Sequence, residues 1–98
     1  MAADERRAHE RRPTDLQVRV ELSGDRAFDG RAENIGEYGV FISTLDLEAS
    51  LQAGDAVTLH FEYEGNPTVR TGSVVRLDQE FAAGEIRRSF AVKFDEPL

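Results

Sequence analysis

The stretch "VTLHFEY", Val57–Tyr63, decides the fold class. Val57, Leu59, Phe61 and Tyr63 alternate with Thr58, His60 and Glu62. Successive side chains of a strand point to opposite faces, so a period of two marks one buried and one wetted face. The same period runs through "LQVRVEL", where Leu16, Val18, Val20 and Leu22 alternate with Gln17, Arg19 and Glu21. It returns in "FAVKF", where Phe90, Val92 and Phe94 alternate with Ala91 and Lys93. Weaker candidates cover residues 28–35, 39–44 and 68–77, which brings the expected strands to six. Turn-forming residues separate them: "SGD" at 23–25, "GEYG" at 36–39, "QAGD" at 52–55, "EGNP" at 64–67 and "AAGE" at 82–85. Only "LDLEASL", 45–51, could take a helical turn. Short strands with regular turn signals predict an all-β domain, an antiparallel barrel or sandwich with little or no helix.

Composition narrows what such a domain does. The 98 residues suit one domain with a modest core. Twelve basic against nineteen acidic residues give a net charge of −7. That argues against general binding to DNA or RNA, where a basic face supplies most of the affinity. It argues equally against docking on an anionic membrane. No apolar run approaches the length of a transmembrane helix, and "MAADERRAHERR" lacks the apolar region of a signal peptide. The absence of cysteine excludes disulfides, thiolate metal sites and cysteine nucleophiles. A soluble cytoplasmic protein without membrane insertion is expected.

The first residues differ from the rest. "DERRAHERRP" is nearly all charged and carries no apolar alternation. Arg6, Arg7, Arg11 and Arg12 outnumber Asp4, Glu5 and Glu10, a local reversal of sign in an acidic chain. Residues 1–13 therefore divide off as an arginine-rich, flexible arm, and residues 14–98 as the β domain. Charge runs are usually solvated tails. Against that, the planar fork of arginine binds phosphate with two parallel hydrogen bonds and also pairs with the O6/N7 edge of guanine. A flexible arm that converged on one ligand would be ordered by it, at an entropic cost that the ligand must offset.

Two motifs give the chain a family likeness. "ERRAHERRP" carries Arg7-Ala-His-Glu-Arg11, an RxxxR pattern. "NIGEYG", Asn34–Gly39, follows some two dozen residues later and leads into "GVFIST". RxxxR alone is weak, but the pair at this spacing inside a six-strand pattern resembles the PilZ domain family, whose second motif is [D/N]xSxxG. The likeness runs from Glu5 to Phe94. It implies a six-stranded antiparallel β-barrel, often with a C-terminal helix. Only four residues follow Phe94, so that helix is either absent or lies outside the sequence given. It also implies a bacterial cytoplasmic receptor for cyclic di-GMP that signals through a protein partner, needs no other cofactor and is no enzyme.

By that likeness, Arg7 and Arg11 would clamp phosphate and guanine edges, and Asn34 would hydrogen-bond a guanine edge. Gly39 would let the backbone turn through positive φ and approach the ligand. An arginine directly before RxxxR is associated in the family with two stacked ligand molecules in place of one, and Arg6 stands there. Gly36 is the departure, a glycine where the family has serine. One lost hydroxyl contact weakens binding by very roughly five- to a hundredfold without abolishing it. The alternative is a degenerate PilZ domain that binds no nucleotide and acts as a protein-interaction module in motility or pilus control.

Other constellations carry less. His9 and His60 are the only histidines, with no zinc-site spacing, and a surface role suits both. Tyr38 could stack on a guanine or shield a barrel end. No serine with a flanking base and no carboxylate pair stands out, so neither catalysis nor metal binding is expected.

Overall fold

The structure is a computed structural model and describes residues 12–23, 26–45, 51–82 and 84–98. Its six strands are β1 (Arg12–Glu21), β2 (Ala27–Ile35), β3 (Gly39–Thr44), β4 (Ala56–Tyr63), β5 (Asn66–Ala82) and β6 (Glu85–Phe94). They close into a barrel in the order β1-β2-β3-β6-β5-β4, with every neighbouring pair antiparallel. Of the two all-β architectures that the alternation allowed, the chain takes the barrel. Among the described residues there is no helix. The helical turn expected at 45–51 falls mostly outside them, on residues 46–50.

Alternation does what the sequence implied. Val18 and Val20, Val57, Leu59 and Phe61, and Phe90, Val92 and Phe94 all point into the core. Val40, Ile42, Phe28, Ala32 and Ile35 complete it from β2 and β3. Phe90 is fully buried and meets Phe28 edge to face, with ring centroids 6.0 Å apart. Such pairs add to the area they bury. The β4–β5 hairpin turns on two residues only, with Tyr63 paired to Asn66. Glu64 and Gly65 both take positive φ there, the geometry of the tight turn whose twist matches the flanking strands.

Three strands run longer than their alternation predicts. β1, expected from Leu16, begins at Arg12, because Arg12 and Pro13, placed in the arm by sequence, pair with Ile35 and Asn34. β5 was expected over 68–77 and extends to Ala82, and β6 starts at Glu85. "DQEFA" and "EIRRS" carry no alternating core face. They form strands because they ladder with each other around the turn at Gly84, from Asp78–Ser89 out to Ala82–Glu85. Beyond Arg88 of β6 nothing from β3 pairs with this ribbon, and Phe81 near its tip is 75% exposed.

The ladders are unequal. β5 and β6 pair from Gly72 to Ala82, whereas β1 and β4 close the barrel only through Arg19–His60, Val20–Leu59 and Glu21–Thr58. On the outside of that closure, His60 Nε2 lies 2.8 Å from Glu21 Oε1. His60 is half-exposed, the surface role expected of it.

The register slips in three places: between Pro13 and Leu16 of β1, Ala32 and Asn34 of β2, and Val74 and Arg76 of β5. These irregularities lie along one row around the barrel. Pro13 pairs with Asn34, Asn34 with Phe41, Phe41 with Ala91, and Ala91 with Arg76. Bulges bend a strand and re-aim its side chains, and they gather beside binding sites.

Candidate functional site

The bulge in β2 sets the site. Ala32 and Ile35 both face the core, three residues apart instead of two or four. The slip leaves Glu33 and Asn34 between them. Asn34 pairs with Phe41, whose neighbours Val40 and Ile42 are buried, so this pair lies on the outer face of the barrel. Its Oδ1 is buried and has no hydrogen-bond partner. Buried acceptors are nearly always satisfied, so this orphan is unusual, and Arg70 Nε shares the condition. Glu33 turns to the same outer surface, where its Oε2 accepts the Ser43 hydroxyl at 2.6 Å and lies 3.9 Å from Nη1 of Arg87.

The turn that follows is held on three sides. Gly36 N–H donates to the Gly39 carbonyl at 2.9 Å. The carbonyl of Tyr38 accepts from Phe94 N–H at 2.9 Å, and that of Glu37 from Leu98 N–H at 2.8 Å. The turn is thus fastened to the end of β6 and the residues after it.

Gly36 is buried. Positive φ occurs at Gly54, Gly65 and Gly84 among the described glycines, and neither Gly36 nor Gly39 takes it. The expected reason for Gly39 is therefore corrected. A Cβ on Gly39 would sit 2.6 Å from the Val92 carbonyl oxygen, so glycine is required by the close approach of β3 to β6. Gly39→Ala should cost about 1–3 kcal/mol, the range for overpacked sites, read as a lower urea midpoint. An unchanged midpoint would mean that the two strands separate freely there.

Two grooves flank the Asn34–Phe41 row. One, of about 440 Å³, lies at the turn and is lined by Gly36, Tyr38, Gly39, Val75, Ala91 and Lys93. Tyr38 and Val75 are large exposed apolar surfaces on it, and Lys93 brings a cation. The other, of about 520 Å³, lies further along the same outer face and includes Arg31, Glu33, Ser43 and Arg87.

Of the residues singled out by sequence, Asn34, Gly36 and Gly39 come together at one end of the barrel. Arg6, Arg7 and Arg11 lie outside the described residues. The first described residue, Arg12, pairs with Ile35, and Pro13 pairs with Asn34. Sequence reasoning missed Glu33, Ser43 and Arg87. The only signal was the neighbour relation of Glu33 to Asn34, because the bulge that turns both outward has no glycine or other marker in "RAENI".

The class defined here is that of small closed antiparallel β-barrels of six strands. The sequence profile of the PilZ domain matches residues 5–98, and the chain belongs to that family. Solved structures agree on the fold. The chain is similar to the inhibitor of motility MotI/DgrA of Bacillus subtilis, with a TM-score of 0.73 and 18% identity over 95% of this chain. It spans only 44% of that protein. It is similar to the PilZ domain of Escherichia coli YcgR, solved with c-di-GMP, with a TM-score of 0.75 and 11% identity over 92% of this chain and 78% of that one. The PilZ domain of CeSA from a cellulose-synthesizing bacterium superposes with a TM-score of 0.61 and 19% identity, over 89% and 83% of the two chains. No curated protein matches the sequence. No helix among the described residues is long and apolar enough to cross a membrane.

Proposed function

We propose that the chain is a cytoplasmic receptor for cyclic di-GMP that orders its arginine-rich arm on binding and presents the new surface to a protein partner. One observation carries this reading: Pro13, at the root of the arm, ladders against Asn34, whose buried Oδ1 lacks a donor. The described residues that follow the arm, Arg12 and Pro13, therefore ladder beside the motif. The ligand offers guanine N–H donors to Asn34 and phosphates to Arg7 and Arg11. The neighbours' printed names fit it: the YcgR domain was solved with c-di-GMP, and MotI is an inhibitor of motility. Isothermal titration with cyclic di-GMP tests it. Saturable binding is expected, and a flat titration by the folded protein would sink it. In that event the second reading stands, a degenerate PilZ domain acting through protein contacts, and Gly36 is what favours it.

Two further outcomes follow from the same titration. Arg7→Ala or Arg11→Ala should weaken binding at least tenfold, because charge-assisted contacts to phosphate are the strong ones. Far-UV circular dichroism should remain that of strands. If either variant unfolds the barrel, the arm is a packed structural segment. With Arg6 in place, saturation should require two nucleotides per chain, and Arg6→Ala should lower this to one. A ratio of one for the unaltered chain would mean that Arg6 takes no part.

A further inference from the structure

The larger groove has a chemistry of its own. Carboxylates and guanidinium groups stand in it together, Asp29 and Glu33 with Arg31 and Arg87. A phosphate there would face two like charges, so the balance does not suit an anion. It suits a neutral group that presents donors and acceptors side by side. The arrangement is also built. Ser43 is only 7% exposed, and its hydroxyl donates to Glu33 Oε2 at 2.6 Å, which fixes the carboxylate. Arg87 approaches the same oxygen at 3.9 Å. Both contacts fall on Oε2, so Oε1 keeps its lone pairs for the groove.

We infer that Glu33 and Arg87, with Ser43 holding Glu33 in place, form a guanine-reading pocket beside the motif, so that this pair sets base specificity. Guanine carries N1–H and N2–H₂ donors next to the O6 acceptor on one edge, and N7 beyond it. Glu33 accepts from the two donors, and Arg87 donates to O6 and N7, the contact arginine commonly makes with guanine. Adenine lacks the N1–H and N2–H₂ donors and offers N1 as an acceptor, which would face the carboxylate. The bulge is what makes this possible, since it turns Glu33 to the same surface as Asn34. One base can thus be read by Glu33 and Arg87 while the arm and Asn34 engage the rest of the dinucleotide.

This inference rests on the nucleotide-receptor reading, and the test separates the two. Cyclic di-GMP and cyclic di-AMP are titrated into the full chain and into Glu33→Gln and Arg87→Met, with thermal melts of each. Amide shifts are followed by NMR with cyclic di-GMP and, separately, with guanosine monophosphate. Glu33→Gln keeps the shape but replaces an acceptor oxygen by a donor. The expected result is an unchanged melt, a loss of cyclic di-GMP affinity of about five- to a hundredfold, and a collapsed preference over cyclic di-AMP. Arg87→Met should fall the same way, and shifts should gather at Glu33, Ser43 and Arg87. Cyclic di-GMP binding with both variants within twofold of the parent, and shifts that spare these three residues, would overturn the pocket and leave the receptor reading standing. Guanosine monophosphate shifting these residues while cyclic di-GMP fails to bind would keep the pocket and overturn the receptor reading. No binding by either probe would overturn both.

Discussion

Gly36→Ser is expected to tighten cyclic di-GMP binding by roughly five- to a hundredfold, the range set by one hydrogen bond to a neutral or charged group. The variant is informative because the backbone dihedral does not by itself demand glycine. Gly36 does not take the left-handed conformation that would strain a side chain. Its N–H donates to the Gly39 carbonyl, a bond that a serine at 36 can still make. Position 36 is buried at the edge of the smaller groove, so a hydroxyl there needs a partner. Paired titrations and thermal melts of the two proteins check this. Tighter binding with an unchanged melting temperature identifies a weakened but intact receptor. A lower melting temperature without gain in affinity would mean that the hydroxyl is buried without a partner. If neither folded protein binds, "NIGEYG" is only a turn and the domain acts through protein partners.

Phe90→Ala should destabilise the barrel by about 3–5 kcal/mol, the range for removing a buried phenylalanine. Phe90 is fully buried, packs against Phe28 across the barrel, and pairs with both Ile42 and Leu77. Domains of this kind hold about 5–15 kcal/mol in total, so the change removes a large share. Chemical denaturation should show a much lower midpoint with little change in slope. Ligand affinity should fall only as far as the folded fraction falls, because Phe90 touches neither groove. A loss below about 1 kcal/mol would mean that the cavity collapses around β3 and β6, contrary to the tight packing of those strands at Gly39.

The core was legible because it depends on a local rule. Val57, Leu59 and Phe61 each declare their face by parity, and that rule needs no partner strand. The barrel required more than parity. Alternation alone left a sandwich open, and closure rests on β1 meeting β4, which no local pattern announces. The reach of β5 to Ala82 was hidden for a related reason, since its outer half is held by β6 and not by burial. In the site, the turn was visible through Asn34 and the two glycines, as chemistry that can be read residue by residue. Glu33 was not, because parity fails at a bulge. A one-residue slip moved it beside Asn34, and slips are decided by the ladder as a whole. Gly39 shows the converse: the residue was rightly singled out, but the cause is Val92, more than fifty positions away in the chain.

The short closure between β1 and β4 makes the barrel a cylinder with a zip. Opening proceeds most readily where the fewest bonds must break, and such local openings occur well below the cost of global unfolding. The strand freed by this one is β1, which at its other end ladders beside Asn34 and Ile35 and directly follows the arginine-rich residues in sequence. A nucleotide that gripped the arm and Asn34 together would pin β1 to β2 and keep the zip shut. Occupancy would then be written in exchange rates away from the ligand, as slower amide exchange at Arg19–Glu21 and Thr58–His60, at the end of β1 opposite to Asn34.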